Sequence, residues 1–281
     1  MMLLNSVYNE FLKIAARPRS YISLLAVSIL VGVILFALKA DGLSFITLLT
    51  SSFEQTLTFN GSILNGSLVA FIVLQMLIIH IPLLIALVTG DMVSGEAAMG
   101  TLRMLGTKPI SRTNLLLSKF IAGNIYTLII LIWLAAMSLG AGKILFGVGD
   151  LMVLNSDGLV ILQQDDIGWR FFGAFVVAYL SLVTVATLST TLSCFTDNSI
   201  GPIVVTMSII ILFTIINTLD VGVFDTIRPF LFTTHMASWR SFFEDPLPTS
   251  DILKSVGILS AHIVILMGTA MYKFTKKDIL S

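Results

Sequence analysis

Six apolar runs of roughly 20 residues, at positions 21–38, 67–89, 115–140, 171–194, 200–219 and 253–272, dominate this chain. The hydrocarbon core of a bilayer is about 30 Å thick, and about 20 helical residues cross it. None of the runs alternates apolar with polar residues, as the strands of a membrane barrel must. Each is therefore predicted to be a helix, which satisfies its own backbone hydrogen bonds inside lipid. Composition agrees: 56% of the 281 residues are hydrophobic, 11% are charged and the mean hydropathy is +0.99. A soluble domain carries about 25% charge. The predicted fold class is an all-α membrane protein, with residues 1–281 forming one transmembrane domain.

The formal net charge of zero conceals a polarity. With six helices, ten of the sixteen Lys and Arg residues fall on the side that holds both termini and the segment 90–112. Only five of the sixteen acids fall there, so this side is +5 and the other −5. Lys and Arg are retained in the cytoplasm during insertion, which predicts cytoplasmic termini. The basic stretch before residue 21 and a full-length apolar run, with no small-x-small site after it, predict an uncleaved first span. Cys194 is the only cysteine and cannot form an intrachain disulfide or a cysteine-built metal site.

Residues 3–16 place Leu4, Val7, Phe11 and Ile14 on one helical face and Asn5, Asn9, Glu10 and Lys13 on the other. That pattern predicts an amphipathic helix in the membrane interface, ended by Arg17-Pro18-Arg19. The outer loops are 39–66, 143–170 and 220–252. In the second, two apolar runs flank Asn155-Ser-Asp-Gly158, which predicts a hairpin over 151–162. The third mixes prolines with Phe230, Phe232, Trp239, Phe242 and Phe243, and predicts short helices with their rings at the outer interface.

The segment 90–112, GDMVSGEAAMGTLRMLGTKPISR, carries charge, glycine and a helical pattern together. Asp91 or Ser94 could cap a helix with Glu96 in its first turn, where the helix dipole favours an acid. Met99, Leu102 and Leu105 are spaced by three, and Arg103 lies near the end of that helix. Gly106 and Pro109 break it, and Ser111 can cap the third span. The prediction is a short amphipathic helix lying crosswise below the membrane, with an apolar face that needs a groove in a cytoplasmic partner.

Little of the chain can carry chemistry. It contains no phosphate-binding G-x-x-x-x-G-K-[ST] loop. His80, His235 and His262 lack ligand spacing, and no Asp or Glu lies mid-span, which argues against a carboxylate-coupled carrier and an intramembrane aspartyl protease. Ser181, Thr184, Thr187 and Thr191 form one polar stripe on the fourth span, suited either to packing within the bundle or to a pathway or subunit interface.

The strings Asp91-Met-Val-Ser-Gly-Glu96, Gly100-Thr-Leu-Arg103 and Pro109-Ile-Ser-Arg112 resemble the motif after the second of six spans in permease subunits of type-2 ATP-binding-cassette (ABC) exporters. The chain end Phe274-Thr-Lys-Lys-Asp-Ile279 is similar to that family's ending. The resemblance implies a permease in the cell membrane of a prokaryote, paired with a second permease chain and resting on two cytoplasmic ATPase subunits. ATP and magnesium would be bound by the ATPase, with no cofactor, metal or catalytic residue on this chain and no nucleic-acid partner. The coupling interface would comprise Asp91, Ser94, Gly95, Glu96, Met99, Gly100, Thr101, Leu102, Arg103, Leu105, Pro109 and Arg112. Asp91, Glu96 and Arg103 would contact the ATPase or brace the helix, and Met99, Leu102 and Leu105 would fill its cleft. The hairpin segment departs from the pattern and leaves room for a non-transporting subunit with an extracytoplasmic partner. A channel or secondary carrier is a lesser alternative.

Overall fold

A computed structural model describes residues 2–50, 63–77, 80–102, 110–155, 158–219 and 221–276. Helix α1 spans Met2–Ala16 and α2 Pro18–Thr50, with a non-helical break at Asp41. They meet at Arg17, where Pro18 takes the first position of the new helix, a site that needs no amide donor. Next come α3 (Gly66–Leu77), α4 (Ile81–Thr89) and α5 (Asp91–Ala98). Helix α6 (Arg112–Ala135) continues through a π-helical stretch, Ala136–Ala141, into α7 (Gly142–Phe146). A hairpin of β1 (Leu151–Asn155) and β2 (Gly158–Leu162) precedes α8 (Gln164–Ser193) and α9 (Gly201–Thr218). Short 3-10 turns, α10 (Phe232–Met236) and a longer 3-10 stretch (Ser238–Phe243) lead to α11 (Thr249–Lys276).

Six helical stretches are long and apolar enough to cross a membrane: Pro18–Gly42, Ile81–Ala98, Arg112–Phe146, Gln164–Ser193, Gly201–Thr218 and Thr249–Lys276. The chain is a multi-pass membrane protein. Every helix but the fifth extends past the apolar run read from sequence, because helical geometry continues into flanks that composition assigns to loops. The second crossing departs most from expectation. Rather than one helix over 67–89, α3 ends at Leu77, and a new helix starts with Pro82 in its first turn and runs, through a helical Gly90, to Ala98. Proline lacks the donor a continuous helix needs at that point.

Helix α8 is the hub of the bundle, with 67% of its apolar window buried, whereas α9 and α11 bury only 17% of theirs. The Ser181–Thr191 stripe faces inward and is buried at all four positions. Each hydroxyl donates to the carbonyl four residues earlier, and Thr191 also reaches Leu266 O at 3.1 Å on α11. Small side chains thus let two helices approach.

At the end of the bundle away from the termini, the predicted hairpin forms, with Leu151 opposite Leu162 and Val153 opposite Val160. Those two pairs include Leu151, Val153 and Leu162, all buried in the main core. The opposite face leaves Leu154 and Ile161 exposed. The aromatic third loop corrects the interface expectation. Trp239 and Phe243 lie inside the protein, 1% and 0% exposed, Trp239 tilted against Phe71 and Phe243 edge-on against Phe71 and Phe171. Arg170, buried on α8, holds this turn by donating to Phe242 O and Glu244 O at 3.1 and 2.8 Å while pairing with Asp166. Phe230, by contrast, is 70% exposed.

Removing the Phe243 ring is expected to cost about 3–5 kcal/mol, because it empties a closed aromatic cluster. Phe230→Ala should stay within about 0.5 kcal/mol of the parent. Thermal unfolding of both variants in one detergent measures the difference, and equal midpoints would contradict this packing.

Candidate functional site

The elements read from sequence as interfacial helix, polar loop and third span converge at one end of the bundle. There, Lys119 sits on α6, one turn into the apolar run, and is completely buried. An ammonium group cannot be left unpaired at such a position without a cost of several kcal/mol. Two glutamates meet it. Lys119 Nζ donates to Glu10 Oε2 at 2.8 Å and lies 2.6 Å from Glu96 Oε2, the latter an ion-pair contact rather than an aligned hydrogen bond. Lys13 closes the ring, donating to Glu10 Oε1 at 2.6 Å and Glu96 Oε1 at 2.8 Å. Two lysines and two glutamates alternate, each carboxylate giving one oxygen to each ammonium, and the ring sums to zero charge.

This arrangement corrects the reading of α1. Glu10 belongs to the polar face, opposite the one expected to sit in the headgroups, yet it is 5% exposed and paired inside the protein. Leu4, on the apolar face, is 72% exposed, as a side chain expected to lie among headgroups would be. The face that packs on α6 is set by the need to pair Lys119, not by apolar spacing alone. Burial works to lower the Lys13 ammonium; the hydrogen bonds and charges of Glu10 and Glu96 outweigh it and hold the group above its ordinary value of 10.5. A raised lysine stabilises the fold below its unfolded value, and that contribution is lost only as pH rises through the folded one. The ring therefore loosens on the strongly alkaline side.

A second cluster adjoins it. Arg17 Nη1 donates to Asp91 Oδ2 at 2.6 Å, and Arg19 Nη1 lies 3.1 Å from the same oxygen. Gly95 makes this conformation of Asp91 possible, since a Cβ at position 95 would collide with the carboxylate. Asp91 and Glu96, candidates for contact with a partner, are thus spent on ion pairs within the chain, and both are buried. Of their two expected roles, bracing is the one this geometry carries out.

The helix predicted to begin at Asp91 or Ser94 is also placed differently. Residues 91–98 prolong the second span, and Ser94 lies inside the helix rather than capping it, its hydroxyl donating to Gly90 O at 2.8 Å. The amides of Val93 and Ser94 donate instead to Ser193 Oγ on α8, at 3.2 and 2.8 Å. The helix ends at Met99. Gly100 follows with φ +71, a left-handed conformation that glycine adopts without strain. Thr101 and Leu102 are helical again. The reversal at Gly100 separates Met99 from Leu102, so the two do not share a helix face as their spacing suggested. Met99 is 63% exposed, whereas Leu102 is 3% exposed, packed with Val93, Leu115, Leu116, Cys194, Ala270 and Phe274. Arg103, Leu105 and Pro109 lie outside the described residues. Ser111 caps α6 as predicted, accepting from Asn114 N at 3.2 Å, and Arg112 Nη1 donates to Thr275 O at 3.0 Å near the end of α11.

The site is therefore a junction where ion pairs and apolar packing join several helices. One turn, Met99–Leu102, projects from it, and ion pairs and a small apolar cluster connect that turn to α1, α2, α6, α8 and α11. No group of three or more His, Cys, Asp or Glu residues among the described ones could hold a metal ion. Sequence reasoning counted Lys119 only as a flanking cation. Its signal was a lone lysine one turn inside an apolar run, which demands a buried partner.

Lys119→Met is expected to cost about 3–5 kcal/mol, because Glu10 and Glu96 stay buried with one ammonium between them. Adding Glu96→Gln should recover part of that loss, a non-additivity of about 0.5–3 kcal/mol in a double-mutant cycle of thermal unfolding. Strict additivity would mean that the ring does not act as a unit. Gly95→Ala should mimic Asp91→Asn in lowered stability, since both release Arg17 and Arg19.

No curated protein matches this sequence. A family profile matches residues 27–280, from the middle of α2 to the chain end, and leaves out α1, which contributes Glu10 and Lys13 to the ring. That match covers most of the chain and identifies it as a member of DUF2705, described as a protein of unknown function.

Proposed function

We propose that this chain is the membrane-spanning permease subunit of an ABC exporter, driven by a separate cytoplasmic ATPase. The single observation that carries this reading is the bracing of the Met99–Leu102 turn. Its exposed tip is continuous with the second span, while Glu96 and Asp91, just behind it, are ion-paired to α1, α2 and α6. A push on such a turn moves several spans together, because buried ion pairs and close packing do not stretch. A plain tether between two spans needs no buried charges. The motif resemblance around residues 91–112, six crossings and the excess of cations at this end support the same reading. Two such chains would sit side by side on two ATPase subunits, which bind ATP and magnesium, and this chain would carry out no chemistry itself.

A second reading has one observation in its favour. The hairpin turns Leu154 and Ile161 outward, 50% and 58% exposed, at the far end of the bundle. In a non-transporting assembly that face would pass ATPase motion to an extracytoplasmic partner.

The test uses Met99, since Leu102 is needed for the chain's own packing. Met99→Asp should reduce co-purification with the ATPase subunit that this reading requires by about tenfold or more, while membrane insertion and thermal midpoint are unchanged. Parental complex formation and ATPase stimulation in that variant would overturn the assignment. ATP-independent flux through vesicles holding this chain alone would favour a channel or carrier instead.

A further inference from the structure

The junction of α1 and α2 carries more positive charge than the described residues neutralise. Arg17 and Arg19 share one oxygen of one carboxylate, Asp91 Oδ2, so the three groups sum to +1. No other acid among the described residues pairs with either guanidinium. Both arginines remain accessible, with side chains 27% and 45% exposed. The other Asp91 oxygen is buried and cannot be reached from outside.

Residues that neighbour these arginines in the chain, Ala16, Pro18, Tyr21, Ile22 and Leu25, line an open groove of about 590 Å³. Its wall is apolar apart from the tyrosine hydroxyl, and Tyr21, Ile22 and Leu25 are 61%, 55% and 59% exposed. From Leu25 the apolar surface continues down α2 through Ile29, Val33 and Phe36, all more than half exposed. Leu25 to Phe36 covers roughly 16 Å at 1.5 Å per residue, about the thickness of one leaflet's hydrocarbon, half of ~30 Å. Two arginines thus lie within a turn, along the chain, of the start of an apolar track of acyl-chain length.

We propose that this junction binds one anionic membrane phospholipid, its phosphate on Arg17 and Arg19 and one acyl chain along Tyr21, Leu25, Ile29, Val33 and Phe36. The guanidinium fork matches phosphate oxygens in a way that a lone ammonium does not. Basic pockets at the cytoplasmic membrane surface recognise lipid headgroups by this chemistry. The preference for an anionic headgroup follows from the acid count. A zwitterionic lipid brings its own ammonium, and Asp91, the one acid among the described residues that pairs with these arginines, is already shared by both. Because the site includes the residues that tie α1 and α2 to Asp91, a bound lipid would stiffen the same junction. This inference needs only that α2 spans the bilayer and does not depend on an ATPase.

The experiment takes the full chain, purified and delipidated in detergent, and measures retained lipid by native mass spectrometry and thermal midpoint by unfolding. Phosphatidylglycerol, phosphatidylcholine and inorganic phosphate are added separately. The parent should retain phosphatidylglycerol and unfold at a higher temperature with it, and do neither with phosphatidylcholine. Arg19→Gln, which leaves Arg17 on Asp91, should weaken phosphatidylglycerol binding about tenfold, and Arg19→Lys by less. Should Arg19→Gln fail to fold, Leu25→Trp fills the groove without touching charge and should also reduce retention. Equal retention of both lipids, undiminished binding in the Arg19 or Leu25 variant that folds, or equal stabilisation by inorganic phosphate alone would each overturn the proposal.

Discussion

The ammonium of Lys119, fully buried between Glu10 and Glu96, is the contact on which the basic end of this bundle depends. A lone buried cation is costly enough to reorganise its surroundings, and here it does so in sequence. It draws Glu10 inward and thereby rotates α1 so that its mixed face, not its most apolar one, packs on α6. It also draws Glu96 inward, which keeps residues 91–98 as a prolongation of the second span. Lys13 then neutralises the second glutamate charge. The alternating ring lets three separate segments of chain share one low-dielectric site without a net charge.

A closed ring of this kind has consequences for motion as well as stability. Apolar side chains can slide past one another at modest cost, but carboxylates paired to a buried ammonium have few alternative partners. The ring thus ties α1, α5 and α6 together, while α9 and α11 lie at the periphery with most of their apolar surface exposed. At the other end of the bundle, Arg170 does a related task with carbonyl groups, pinning the aromatic turn that carries Trp239 and Phe243 into the core. Both ends of the molecule are fastened by a buried cation on a long helix.

Much of the site was legible as a list of residues and little of it as geometry. Asp91, Glu96 and Ser111 were recognisable from capping and charge patterns, and Ser111 does cap α6. The spacing of Met99 and Leu102 implied one face, and the left-handed turn at Gly100 placed them on opposite sides of a boundary, one exposed and one buried. A spacing rule holds only within a single helix, and a glycine can be a helix residue or its terminus. Ser193 illustrates a different limit: it meets the amides of Val93 and Ser94 from a hundred residues away, and no local pattern signals such a pairing.

The sequence by itself determined the class of the molecule, its six crossings, the hairpin and the polarity of its two ends. These follow from transfer free energies and local hydrogen bonding, which are sums over neighbouring residues and can be read along the chain. Tertiary structure alone decided which face of α1 turns inward, where Trp239 and Phe243 lie, and that Asp91 and Glu96 brace the chain internally. These outcomes depend on the cost of leaving a charge or a ring unpaired at one point in space, and the partners that remove it come from distant parts of the chain.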